Sequence, residues 1–131
     1  MTVKVVKFGG SSLADAKQFE KVRRIIESDP ARGFVVPSAP GKRDKNDEKV
    51  TDLLYRCYSA RDDRQTYEQT FARIRERYLQ IERDLGVDAG MSDALESVKY
   101  EMLFQSAPDY AASRGEYLNG RLMAAYLGFP F

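Results

Sequence analysis

Hydrophobic positions along this chain fall into two kinds of run. The first kind is short and dense: Val3, Val5, Val6 and Phe8, stopped by Gly9-Gly10, and Gly33-Phe34-Val35-Val36, stopped by Pro37-Ser38-Ala39-Pro40-Gly41. Brief β-branched and aromatic runs that end on turn residues predict buried strands rather than helices. Between them Phe19, Val22, Ile25 and Ile26 recur at helical spacing, with Lys21, Arg23, Arg24 and Glu27 left largely to solvent. Ser11 and Ser12 are placed to cap this helix, and Asp29-Pro30 to close it. Strand, glycine turn, helix, strand is most economically a right-handed parallel βαβ unit. Two strands alone, however, make a poor sheet.

The second kind of run is spaced by threes and fours. Val50, Leu53, Leu54 and Cys57 mark one helix face. It follows residues 42–49, Lys-Arg-Asp-Lys-Asn-Asp-Glu-Lys, whose near-continuous charge predicts a solvated, mobile loop. Tyr67, Phe71, Ile74, Tyr78, Ile81 and Leu85 give the clearest stripe, and the six Arg and six acidic residues between positions 61 and 84 balance as an outer face would. Met91, Leu95, Val98 and Met102 repeat the spacing, which predicts an antiparallel helical hairpin across Gly86 to Gly90. After Ala107-Pro108, Asp109 is expected to cap a last helix bearing Leu118, Leu122, Ala125 and Tyr126, stopped near Gly128. No repeat, low-complexity tract or linker divides the 131 residues, a length that suits one domain.

Composition narrows the function more than the fold. Lys plus Arg number 21 against 20 Asp plus Glu, a net charge of +1, which argues against a general grip on nucleic acid or acidic lipid. The absence of histidine excludes Ser-His-Asp triads, Cys-His nucleophiles, His-bearing zinc sites and histidine pH switches. The single cysteine, Cys57, allows no internal disulfide, fits a reducing cytoplasm and sits on an apolar helix face as a small hydrophobe. The longest nearly apolar run, Met123 to Phe131, falls well short of the roughly 20 residues a bilayer requires. The N-terminus lacks the apolar centre of a signal peptide. No membrane association and a cytoplasmic location are therefore expected.

Two segments could carry chemistry. In Lys7-Phe8-Gly9-Gly10-Ser11-Ser12 a strand delivers a lysine and a glycine pair to a helix start, where bare backbone N–H groups and a full positive charge can bind an anion. The lysine precedes the glycines, so this is not a Walker loop, and plain turn chemistry is the alternative. In Ser113-Arg114-Gly115-Glu116 a glycine interrupts a helical stretch at a cost of about 1 kcal/mol relative to alanine. It permits either a bend or a close ligand approach with Glu116 as an accessible carboxylate; a local kink with a solvated glutamate is the alternative. Thr51 is by default a helix-start residue. Ser38, at a strand end, lies where α/β folds bind ligands, although an ordinary turn serine suits the place equally.

Four segments in order resemble the beginning of an aspartate kinase of the amino acid kinase family: Lys7 to Ser12, Val35 to Gly41, Lys49-Val50-Thr51-Asp52-Leu53-Leu54, and Ser113 to Leu118 with Leu122 to Leu127. The resemblance covers essentially the whole chain. It implies an α/β fold, the N-terminal portion of a three-layer α/β/α sandwich with a helical subregion at about residues 48 to 128. It also implies ATP and Mg²⁺ as cofactors and transfer of the ATP γ-phosphoryl to the side-chain carboxylate of L-aspartate. The products are 4-phospho-L-aspartate and ADP, at the first step of lysine, threonine and methionine biosynthesis. By the same resemblance Lys7 neutralises charge on the transferring group, Gly9, Gly10 and Ser11 approach its oxygens with Phe8 in the same nucleotide-binding segment, and Ser38, Thr51 and Glu116 hold aspartate. Pro37 departs from the family strand, which more usually has an aliphatic residue there.

Aspartate kinases continue well beyond this length. Residues 1–131 are thus expected to be the N-terminal part of the catalytic domain, without its remainder or the ACT regulatory domains. The complete enzyme is expected to be a homo-oligomer. The chain alone is expected to be inactive, with uncovered strands that favour self-association. Two rival functions stand beside this: a helical protein-interaction module with an inert glycine turn, and another amino acid kinase. The second is disfavoured by the Lys-Phe-Gly-Gly opening together with Ser-Arg-Gly-Glu.

Overall fold

A computed structural model describes residues 2–131. The two dense apolar runs pair as parallel strands, β1 (Lys4–Phe8) and β2 (Arg32–Pro37), joined through α1 (Ala16–Glu27). Val5 lies opposite Phe34, Val6 opposite Val35, Lys7 opposite Val36 and Phe8 opposite Pro37. Pro37 therefore ends the strand without breaking it. In a parallel ladder alternate residues bond to a given neighbour, and the Ser38 N–H donates to the Phe8 carbonyl at 3.0 Å. The N–H that proline lacks belongs to the edge facing away from β1.

The remaining helices are α2 (Val50–Ser59), α3 (Arg64–Leu85), α4 (Met91–Glu101) and α5 (Asp109–Leu127). The α/β class, the βαβ unit and the helical subregion are as the sequence predicts. One sheet face carries Val6, Phe8 and Val35, half-buried against the helical core. On the other face Val5, Phe34 and Val36 remain 68%, 62% and 47% exposed. The core itself sits between helices, around Phe19 and Val22 of α1, Leu53 and Leu54 of α2, Phe71, Ile74 and Tyr78 of α3, Leu95 of α4, and Leu118 and Leu122 of α5. The α3–α4 hairpin turns at Gly86, whose φ of 66° is a left-handed helix stop that glycine adopts without penalty. None of the described helices is long and apolar enough to cross a membrane.

Several local expectations are corrected. Ser11 and Ser12 do not cap α1; they lie in a 3₁₀ turn, Gly10–Leu13, and Asp15 is the cap, accepting from the Gln18 N–H at 3.0 Å. Burial of Leu13 pulls that turn inward and moves the helix start along the chain. Ile25 is 48% exposed, because Val22 and Ile26 complete the inward face without it. Asp109 is the first residue of α5 and makes no capping bond, and in that helix Met123 is buried where Ala125 is exposed. Gly115 causes no break: α5 runs through it.

Residues 42–49 fold into a turn held by their own charges instead of a free solvated loop. The Arg43 side chain donates to the Asp47 carboxylate at 2.7 and 3.0 Å, the Asn46 N–H donates to Asp44 at 2.8 Å, and Glu48 pairs with Arg56 and Arg73. The hydrogen bond from Arg43 holds the Asp47 carboxyl well below the usual carboxylate range, against the opposing effect of burial. A carboxyl depressed in this way stabilises the fold above its unfolded value of 3.8, and the contribution fades as pH falls through the folded value. The urea midpoint is therefore expected to drop as pH falls below about 3.8. Asp47→Asn should lower the midpoint at neutral pH and reduce its acid dependence; an unaltered pH profile would contradict this account of the loop.

Candidate functional site

Because the strands are parallel, both deliver their following loops to one end of the sheet, where ligands bind in open α/β folds. After β1, Gly9 is extended (φ −76°, ψ 172°) and leads into the 3₁₀ turn. After β2, Ser38 to Gly41 crosses directly over that turn, and the Gly41 N–H donates to the Gly10 carbonyl at 2.8 Å. The two backbones touch: a Cβ on Gly41 would stand 2.6 Å from the Gly10 carbonyl carbon, and one on Gly10 would stand 3.0 Å from the Ala39 oxygen. Peptide planarity carries this contact outward. With the Gly10 carbonyl turned toward Gly41, the Ser11 N–H of the same peptide unit points the opposite way. It belongs to the first turn of a helical segment and has no partner within it, whereas the Ser12 N–H is occupied by the Gly9 carbonyl at 3.1 Å.

Gly9 differs from its neighbour. Its φ is ordinary, and a Cβ there would meet nothing within 4 Å. Nothing in the fold calls for glycine at that position. Lys7 is exposed on the uncovered sheet face beside Val5, and among the described residues its ammonium forms no ion pair. Ser11 is exposed, and the Phe8 ring packs against the core.

The Ser38–Gly41 segment is the hub for the other candidates. The Ser38 carbonyl accepts from Asn119 Nδ2 of α5 at 2.7 Å. The Pro40 carbonyl accepts from the Val50 N–H at 3.1 Å, which sets the start of α2 and places Thr51, half-buried, as its second residue. Lys49 occupies the cap position, so Thr51 is not the cap. Gly115 lies flat against Ala39: a Cβ would come within 2.8 Å of the Ala39 methyl and 3.2 Å of Leu54 Cδ1. The glycine thus permits close helix–loop packing instead of a kink, and it leaves Glu116, the next residue, exposed. Lys7, the Gly9–Ser11 turn, Ser38, Thr51 and Glu116 all belong to segments that meet around this one crossing.

Three further residues hold the crossing together. Arg77 of α3 donates to the carbonyls of Gly41 at 2.7 Å, Glu48 at 3.0 Å and Ala14 at 3.1 Å. The neighbouring Tyr78 hydroxyl, fully buried and pushed to a high pKa by that burial, donates to the Gly115 carbonyl at 2.7 Å. Asn119 is the third. The charge balance of residues 61–84 places Arg77 on the solvated face, but its position between Ile74 and Tyr78 in the apolar stripe is a local signal for the burial observed, 5% exposed. Cys57 is fully buried, with its thiol pushed up to about 12 by burial, as an inert core residue would be. A groove of about 630 Å³ lies elsewhere, along β2 and the end of α5, and is lined by apolar residues such as Phe34, Met123 and Phe131. The candidate site is by contrast an open shelf.

A parallel βαβ unit with a glycine turn, a lysine that has no ion pair among the described residues and a second loop crossing that turn define an α/β protein. The chain belongs to the amino acid kinase family, whose pattern it matches over residues 2–129. It is 38% identical to aspartokinase 3 of Bacillus subtilis (strain 168) over 97% of its own length and 29% of that protein's. Its fold superposes on the crystal structure of Clostridium acetobutylicum aspartate kinase with a TM-score of 0.92 at 47% identity, covering 98% of this chain and 30% of that one. Escherichia coli aspartokinase III, solved with aspartate and ADP, shares the fold at a TM-score of 0.76 and 21% identity, over 96% of this chain and 29% of that one. The chain thus spans less than a third of each of these proteins.

Proposed function

We propose that this chain forms one wall of an ATP-dependent aspartate kinase site, in a protein that transfers the γ-phosphoryl of ATP to the side-chain carboxylate of L-aspartate. Gly9 is the observation that carries the phosphate assignment. The fold does not require a glycine there, and a missing side chain beside an unpaired lysine is what close approach of phosphate oxygens requires. Lys7 supplies charge to the transferring group, and Gly9, Gly10 and Ser11 offer backbone N–H groups to its oxygens. Phosphoryl transfer asks a protein chiefly for such positioning and charge stabilisation. Ser38, Thr51 and Glu116 face aspartate, with the exposed Glu116 carboxylate suited to its ammonium.

The described residues offer no group of three or more acidic, cysteine or histidine side chains that could hold a metal. Mg²⁺ fits this wall as a companion of the ATP phosphates, neutralising their charge, and not as an ion held by a protein cage. Aspartate phosphorylation opens lysine, threonine and methionine biosynthesis, and the setting consistent with that role is the cytoplasm, with the complete enzyme a homo-oligomer. Nucleic acid and membranes are not among the proposed partners.

A chimera tests the proposal. This chain is substituted for the matching segment of the C. acetobutylicum aspartate kinase, and ADP release is followed with saturating ATP, Mg²⁺ and aspartate. The chimera is expected to turn over, and the isolated chain is not. Holding both reactants in line accounts for about 7–11 kcal/mol of barrier lowering, which an open shelf cannot supply. In the chimera, Lys7→Met should lower kcat far more than it raises the KM for aspartate, and Glu116→Ala should chiefly raise that KM. A folded but inactive chimera, or turnover by the isolated chain that survives Lys7→Met, would contradict the assignment.

A further inference from the structure

We propose that Arg77 is a positioning residue for the phosphoryl-transfer site: it touches neither substrate, and from α3 it fixes the glycine turn and the loop crossing it. The inference rests on the proposed function for what the site binds, and on the geometry alone for what Arg77 does. Arg77 is 5% exposed, in the middle of an apolar stripe where a hydrophobic side chain would pack without any desolvation cost. Its guanidinium makes three bonds, all to backbone carbonyls, on segments distant in sequence. Ala14 closes the 3₁₀ turn, Gly41 lies against Gly10, and Glu48 leads into α2 just before Thr51. The Asp47 carboxylate, 3.4 Å away, offsets the buried charge. One planar fork thus ties together the loops that carry Gly9 to Ser11, Ser38 and Thr51.

The direction of these bonds matters as much as their number. Each carbonyl drawn toward Arg77 turns the following N–H away from it, because the peptide unit is planar. At Gly41 the fork fixes the Gly41–Lys42 peptide plane; the Gly41 N–H, in the adjoining Pro40–Gly41 plane, donates to the Gly10 carbonyl, and that contact sets the Ser11 N–H outward. Without the fork, the buried Ala14 and Gly41 carbonyls and the part-buried Glu48 carbonyl lose this donor, and the crossing loop loses the one side-chain anchor at Gly41 among the described residues. Lysine does not replace it: an ammonium is a point charge on a flexible stem and cannot span three carbonyls in a fixed plane.

Arg77→Lys in the full chain tests the idea, with Val98→Ala in α4 as a control that weakens the core away from the site. Two readouts are taken at a temperature where circular dichroism shows each variant folded. One is hydrogen exchange of the Gly41 amide without nucleotide; the other is ATP–Mg²⁺ affinity from the amide NMR shifts of Gly9 to Ser12. In Arg77→Lys, Gly41 exchange should accelerate and affinity should fall about tenfold or more, while Val98→Ala leaves both near the parent values after correction for its stability. If Arg77→Lys does not fold, Asp47→Asn, which removes the counter-charge, should show the same two changes in smaller degree. Parent-like Gly41 exchange or ATP affinity in the folded Arg77 variant would overturn the proposal. Failure of the unsubstituted chain to respond to ATP would overturn the functional reading and the positioning role with it; it is distinguishable because Gly41 exchange is read without nucleotide.

Discussion

Gly41→Ala should destabilise the chain by about 3 kcal/mol and disrupt the glycine turn at the same time. The added methyl would stand 2.6 Å from the Gly10 carbonyl carbon and 2.8 Å from the Ser11 nitrogen. Those are backbone atoms, pinned by the Gly41–Gly10 hydrogen bond and by the Arg77 fork, so they cannot rotate aside as a side chain would. Gly9→Ala is the matched comparison. With nothing within 4 Å of its Cβ, it should change stability by no more than about 0.5 kcal/mol. It should nonetheless weaken phosphate binding, because the methyl occupies the approach that the bare backbone leaves open. Urea unfolding of the two variants, run beside the parent, checks the contrast; equal destabilisation would mean the loops do not cross as described.

Leu54→Ala should cost a similar amount, about 3 kcal/mol from lost burial and the residual cavity. Leu54 is fully buried in α2, and its Cδ1 lies where a Cβ on Gly115 would come within 3.2 Å. The cavity would therefore open between α2 and the part of α5 that carries Glu116. The loss should appear in the urea midpoint with little change in the denaturant slope. A loss below about 1 kcal/mol would show that this contact is loosely packed.

How much of this was legible in the sequence depends on the range of the interactions involved. The two strands, the α3–α4 hairpin and the α2 stripe were readable because periodicity and turn residues are local signals. Helix starts were less so: Ser11, Ser12 and Asp15 can all cap, and burial of Leu13, a tertiary event, selected Asp15. The charged segment 42–49 has the composition of a free loop, yet its order depends on the four-residue spacing of Arg43 and Asp47 and on Arg77, 30 residues later in the chain. Gly115 was visible as an anomaly, but its partner Ala39 was not, since one glycine serves a bend, a ligand or a neighbouring loop alike. Lys7, Gly9, Gly10 and Glu116 are proposed as site residues through motif order. The residues that hold them, Arg77, Tyr78 and Asn119, act through backbone carbonyls and leave no motif of their own.

The proposed role of the turn from Gly9 to Ser12 is that of a nucleotide-phosphate site served by Lys7. It is tested most directly by titrating the isotopically labelled chain with ATP–Mg²⁺ and recording its amide NMR spectrum. Saturable shifts centred on Gly9, Gly10, Ser11 and Ser12 are expected, strongly reduced in Lys7→Met and absent with adenosine. Shifts that ignore this turn, or that survive unchanged in Lys7→Met, would contradict it and leave the glycine pair as an ordinary turn.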